Sequence, residues 1–222
     1  MQAWISSSRP FLEIRAEVER LAREWGADEV WWWAEGEVGP AVDEALRFAG
    51  AELTVTQVVM ARSLVGGDAD AWFADADPPG VATTVVSDEA AFRALAEVET
   101  AGWGRVPPPP AVLVEDWERL RADLESSAAF ALVATMDGTP ASVGRCRLFG
   151  SVIRLFGAVT LPSFRRRGLY TSVLAARCRL GHAQGATLAL TKARPGTSAP
   201  VLEQAGFRSY GAERCWRLLV ED

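Results

Sequence analysis

LFGAVTLPSFRRRGLYTSVL, residues 155–174, sets three consecutive arginines in front of a glycine, in a chain of 222 residues with a formal net charge of −6. The residues just before it, SVIRLFGAVT, alternate as a strand does, with Ile153, Leu155, Val159 and Leu161 on one side. Pro162 cannot donate to a ladder and ends the strand, and an apolar helix begins near Gly168. Arg165, Arg166 and Arg167 therefore fall in a strand-to-helix bend. At such a bend the first amides of the helix point outward, the helix dipole adds partial positive charge, and a glycine admits close approach to the main chain. This is the chemistry of a phosphate site, although most short charge runs are simply solvated surface. Gly157 adds a second signal. A glycine inside a regular strand marks a bulge or a chain lying alongside, so Gly157–Thr160 offers hydrogen bonds to an extended ligand.

Working outward, helical spacing continues through Leu169, Val173, Leu174 and Leu180, followed by the strand ATLAL, the short helix APVLEQAGF and terminal strands. Upstream, VATTVVSD reads as a strand and Phe92, Leu95 and Val98 mark a helix. Pro107–Pro110 interrupt, and Trp117, Leu120 and Leu124 mark another helix. FALVATMDG and PASVGRCRLFG are strands joined by a turn at Asp137-Gly138. VGGDADAWFADADPPG has linker composition, which divides the chain into 1–64, a linker at 65–80, and 81–222. The first segment echoes the tail of the last. GADEVWWWA…PAVDEALRFAGAEL and GATLALTKA…SAPVLEQAGFRS share the order helix, Gly-Ala, strand, short helix, Ala-Gly, with Gly26 matching Gly185 and Gly50 matching Gly206. In WWW, alternation sends Trp31 and Trp33 one way and Trp32 the other, which makes packing the expected role.

TLPSFRRRGLYTSVL resembles the acyl-CoA signature of the GNAT superfamily of N-acetyltransferases, written Q/R-x-x-G-x-G/A and preceded by a strand, a proline and an aromatic residue. Arg165 takes the Q/R position, Gly168 the glycine, Pro162 the proline and Phe164 the aromatic, while Tyr170 replaces the second small residue. The element order from Val81 to the C-terminus is similar to that of the whole acetyltransferase domain. The resemblance implies an α+β fold of α/β/α layers around a mixed, mostly antiparallel sheet, preceded by a degenerate half-unit of the same fold. It implies acetyl-CoA or another acyl-CoA as co-substrate, with the backbone of Arg166, Arg167, Gly168, Leu169 and Tyr170 cradling the pyrophosphate and Arg165 adding charge. Ala158, Val159 and Thr160 are expected to pair with the pantetheine arm, with a backbone amide near Val159 close to the thioester oxygen. The reaction implied is direct attack of an amine on the thioester.

The acid and base are harder to place. No carboxylate lies between Ser151 and Phe164, and Leu202 stands where many relatives carry a tyrosine. Glu99, ahead of Glu97, is the candidate base in a helix expected to wall the amine site, with Trp103 beside it; solvated helix carboxylates are the plainer reading of both. Ser198 is a candidate contact for the CoA arm or an ordinary helix cap, and His182 is expected to be structural at a helix end.

Composition bounds the rest. The acidic charge argues against nucleic acid and favours an amine, small molecule or peptide, as partner. Cys146, Cys178 and Cys215 are widely spaced with His182 the sole histidine, so no metal is expected. No apolar run approaches the roughly 20 residues that span a bilayer, and acids near the N-terminus do not suit a leader, so no membrane partner and a cytoplasmic location are expected. A homodimer is left open.

Overall fold

The computed structural model describes residues 1–5, 9–34, 39–66 and 77–220. Ser6–Ser8 of the SSSRPF stretch and most of the expected linker, 67–76, lie outside the described residues. Among the described residues the strands are β1 (Gln2–Ile5), β2 (Glu29–Ala34), β3 (Glu52–Ser63), β4 (Val81–Val85), β5 (Ala129–Met136), β6 (Thr139–Phe149), β7 (Val152–Thr160), β8 (Leu188–Ala193) and β9 (Arg208–Leu219). The helices are α1 (Phe11–Glu24), α2 (Gly39–Phe48), α3 (Glu89–Trp103), α4 (Pro110–Glu125), α5 (Leu169–Ala183) and α6 (Ser198–Gln204). They fall into two compact units that interleave along the chain. One comprises Met1–Met60, Lys192–Glu203 and Arg208–Asp222, the other Ala61–Thr191 and Gln204–Phe207.

The larger unit carries the bend. Its strands run in the order β8-β7-β6-β5-β4. The β4–β5, β5–β6 and β6–β7 pairs are antiparallel, and β7–β8 is parallel. β5 reads as unbroken apolar sequence because both of its faces are covered. Ala131 and Val133 pack with Val143 and Val159 under α3 and α4, where Phe92, Leu95, Val98 and Leu120 are buried. Ala134, on the opposite face, packs with Ala141 under Leu169 and Val173 of α5. Helix, sheet and helix are thus stacked in three layers. The hairpin at Asp137-Gly138 has left-handed φ of 50° and 81°, the conformation a two-residue turn of matching twist needs. Asp88 caps α3, its carboxylate accepting from Ala91 N–H at 2.8 Å.

In the other unit β2 pairs with β1 in parallel and with β9 antiparallel, and β3 flanks β9. Val30, Trp32 and Ala34 point into a core with Leu46, Trp216 and Leu218, as alternation requires. Trp31 Nε1 donates to Glu29 at 2.7 Å, and Trp33 lies beneath the Lys192 ammonium at 5.7 Å. The tryptophan run is accordingly packing. Asp43, buried, accepts from Trp216 Nε1 at 2.7 Å and pairs with Arg214.

All three cysteines are buried free thiols. Burial, partly offset by nearby Arg177, pushes Cys146 up to about 11 and Cys178 up to about 12. Both remain protonated and unreactive at neutral pH.

Candidate active site

β7 is broken where Gly157 stands. Val143 pairs with Val159 but Arg145 pairs with Phe156, so Gly157 and Ala158 together oppose Gly144. Gly157 has φ of 59°, which a side chain would oppose. The break is held from below by Arg177 of α5, a guanidinium only 1% exposed. Its Nη1 donates to Arg145 O at 3.2 Å and Phe156 O at 3.4 Å, and its Nε to Val173 O at 3.2 Å. Gly144 makes room: a Cβ there would lie 2.8 Å from Arg177 Cζ. Among the described residues no carboxylate is paired with this buried cation, whose charge is answered by carbonyl dipoles at the bulge.

One edge of β7 is open beyond the break. Among the described residues the ladder with β8 ends at Leu155↔Thr191, with Thr191 Oγ1 donating to Leu155 O at 3.0 Å, while β7 runs on to Thr160. Leu161 N–H donates to Ala141 O at 2.9 Å, and the register runs Ser142↔Thr160, Val143↔Val159. Antiparallel alternation then turns the Val159 amide towards β6 and the Thr160 amide towards the free edge. Of the amides near Val159 expected to meet the thioester, that of Val159 itself thus faces the sheet. The bulge residues Gly157 and Ala158 lie outside that regular register. Val159 also buries its side chain under α3, where Gly102 allows the approach: a Cβ on Gly102 would sit 2.6 Å from Val159 Cγ2.

β7 leads into the bend through a 3-10 turn, Pro162–Phe164. Arg166 has φ of 61° and Gly168 φ of 84°, and two left-handed residues this close form a concave run of amides suited to anions. Arg166 lacks glycine's freedom, so the conformation costs about 1 kcal/mol or more. No side chain caps α5. Arg165, Arg166 and Arg167 are exposed, and among the described residues none is paired with a carboxylate. Arg165 Nε donates to Thr160 O at 3.3 Å, and the Arg167 guanidinium lies over Phe164 at 5.8 Å. Leu169 is buried in the core below. Burial pushes the Tyr170 phenol up, partly offset by Arg177, and keeps it neutral.

Gly168 has a structural reason besides ligand access. Pro78 packs against it, so that a Cβ would fall 2.3 Å from Pro78 Cγ. The neighbouring Asp77 accepts from Ser172 Oγ and lies 3.6 Å from Arg179. One face of the bend is covered by this segment, and the arginine face is solvent-exposed.

A cavity of about 380 Å³ opens on the α3–α4 side of the bulge, where Phe156 and Gly157 form part of its wall with Trp103 and Glu99. Glu99 does not stand free. Its carboxylate accepts from Arg145 Nε at 2.7 Å and Nη2 at 2.9 Å. Burial disfavours the Arg145 charge, but the bonds to Glu99 and its charge, with Asp116 beyond, outweigh this and hold the guanidinium above its ordinary value. Glu97 is exposed and lines a second groove between α3 and α4, beside Phe92 and Trp117, which shares Arg105 with the cavity. Ser198 and the buried Leu202 belong to the other compact unit; Ser198 Oγ accepts from Arg194 N–H at 2.9 Å, a helix-start bond. His182 is exposed in the last turn of α5. The sequence does not single out Arg145, Arg177 or Gly102. Gly144 carries the same signal as Gly157, a glycine within a strand.

A mixed sheet between helical layers, a central strand broken by a bulge with one free edge, and an arginine-rich bend into the next helix together define the fold of the GCN5-related N-acetyltransferases, and this chain has that fold. Such an enzyme from Sphaerobacter thermophilus matches 100% of this chain and 73% of its own length at a TM-score of 0.74 and 16% identity. A tandem GNAT protein from the clavulanic acid biosynthesis pathway matches 100% of this chain and 76% of its own at 0.70 and 16% identity. A GCN5-related N-acetyltransferase from Kribbella flavida matches 97% and 80% at 0.68 and 18% identity. No protein-family model and no curated protein sequence matches the chain. Among the described residues no helix is long and apolar enough to cross a membrane.

Proposed function

We propose that this protein transfers an acyl group, in the first instance acetyl, from an acyl-CoA to an amine. The observation that carries this is the bulge at Gly157, with the free edge of β7 on one side running to the arginine bend and a charged cavity on the other. Pantetheine pairs with the edge that includes the Thr160 amide. The amides of Arg166–Tyr170 and the charge of Arg165, Arg166 and Arg167 hold the pyrophosphate, charge-assisted bonds being roughly twice as strong as neutral ones. An amine in the cavity attacks the thioester carbon. The C–N bond forms, the carbonyl oxygen takes the electron pair and is met by a bulge amide of Gly157 or Ala158, and collapse expels the thiolate. Glu99 takes the amine proton, directly or through one water. The thiolate takes a proton from solvent. The segment 1–64 is read as a degenerate half-unit of the same fold, a reading supported by its matched helix ends and by the match of the chain to 76% of a tandem GNAT protein.

A second reading, acyl-CoA binding without turnover, is favoured by one observation, the engagement of both Glu99 oxygens by Arg145. Calorimetry with CoA and thiol release from acetyl-CoA over an amine panel separate the two. The transferase reading expects CoA binding that is lost on replacing Arg165 and Arg166 by alanine, amine-dependent thiol release, and a kcat about 100-fold lower for Glu99→Gln. Tight CoA binding with no release for any amine establishes the second reading. No CoA binding defeats both.

A further inference from the structure

The cavity beside the bulge has a charge opposite in sign to that of the chain. Three carboxylates face it, and each is already bonded to an arginine of the same wall: Glu99 to Arg145 at 2.7 Å, Asp123 to Arg147 at 2.5 Å, Asp116 to Arg119 at 2.8 Å. Arg105 is the fourth guanidinium lining it, and among the described residues no carboxylate is paired with it. The wall therefore carries one surplus positive charge within a chain of net charge −6.

The Arg105 backbone is fixed and its side chain is exposed. α3 ends in a left-handed Gly104, φ 63°, and Arg105 N–H closes the helix end by donating to Thr100 O at 2.9 Å. Its guanidinium lies over the Trp103 ring, 5.7 Å from the centroid. A guanidinium in cation–π contact with an indole keeps N–H groups free for a planar acceptor. An ammonium without an anion would meet carboxylates already neutralised and a cation with no counter-charge.

We infer that the acceptor amine also bears a carboxylate, received by Arg105, as in an amino acid. This rests on the transferase reading above and adds the substrate class. It also narrows the expectation drawn from net charge, because recognition follows the charge of the wall rather than that of the chain.

The test uses the full chain and acetyl-CoA with glycine, L-alanine, L-methionine and L-glutamate, each beside its carboxamide, and with O-phosphoethanolamine beside β-alanine. Acids are expected to exceed amides in kcat/KM by about 10-fold or more, and Arg105→Ala to bring the ratio near one while Arg105→Lys keeps part of it. Equal use of acids and amides, a preference that survives Arg105→Ala, or a preference for the phosphate monoester overturns the inference. If CoA binds and no amine is turned over, the transferase reading fails, and the carboxylate site is read by calorimetry on the CoA complex. N-acetyl-L-alanine is then expected to bind more tightly than its amide in the parent and not in Arg105→Ala; equal binding in the parent overturns the site as well.

Discussion

Arg177 shows how one residue can set the geometry of a site it does not touch. Buried at 1% exposure, it bonds the carbonyls of the paired residues that flank the break on one side, Arg145 O and Phe156 O, through the space Gly144 leaves. Its replacement by methionine keeps much of the side-chain volume but removes the charged donor from these carbonyls, a loss of about 1–3 kcal/mol each, offset in part by removing a buried charge. Arg177→Met is expected to lower stability modestly and kcat by about 100-fold or more, as loss of an oxyanion donor does, with a smaller change in CoA affinity, because the bend is separate from the bulge. Arg177→Lys, still a donor, is expected to fall between. Parallel losses of CoA affinity and kcat would show that Arg177 only holds the fold. In the sequence Arg177 reads as a charged helix residue, since nothing local tells a solvated arginine from one buried beneath a strand. Gly157 is legible because a glycine within alternating apolar residues has few other uses.

At the scale of elements, strands and helices follow from period and punctuation. The helix ends are legible too: Gly26, Gly50, Gly185 and Gly206 all have left-handed φ, of 65°, 79°, 89° and 79°. What periodicity does not carry is how closely two elements approach. α3 meets β7 through Gly102, where a Cβ would stand 2.6 Å from Val159 Cγ2. Gly102→Ala gains about 1 kcal/mol of helix propensity but overpacks the contact at about 1–3 kcal/mol. The variant is expected to melt lower and to lose kcat as α3 shifts away from the strand, while Gly196→Ala, in open space, changes neither. A Gly102→Ala protein that melts higher with unchanged kcat would show that the helix has room to move without disturbing the strand. The same limit explains Val159. Its place on β7 is legible, but the edge its amide faces depends on the register with β6, fixed by the position of the break.

For the whole molecule, composition and order are legible and long-range pairing is not. The linker-like stretch suggests a domain that begins near Val81, yet β9 lies between β2 and β3, and Trp216 donates to Asp43 across 173 residues of sequence. No local pattern in WWW or RCWRLL names the other as its partner. Residues 65–222 alone would leave β9 without either neighbour, expose Trp216 and Leu218, now 4% and 6% accessible, and strip Trp216 of its acceptor. An apolar, unpaired strand edge of this kind is a template for association. The 65–222 fragment is therefore expected to elute as aggregate or to need detergent, while the full chain stays monodisperse; adding back residues 1–64 in trans should recover part of the soluble material. A monodisperse 65–222 fragment that binds CoA as the full chain does would instead make the N-terminal segment dispensable, and would place the pairing of β9 with β2 outside what the acetyltransferase-like domain needs to fold.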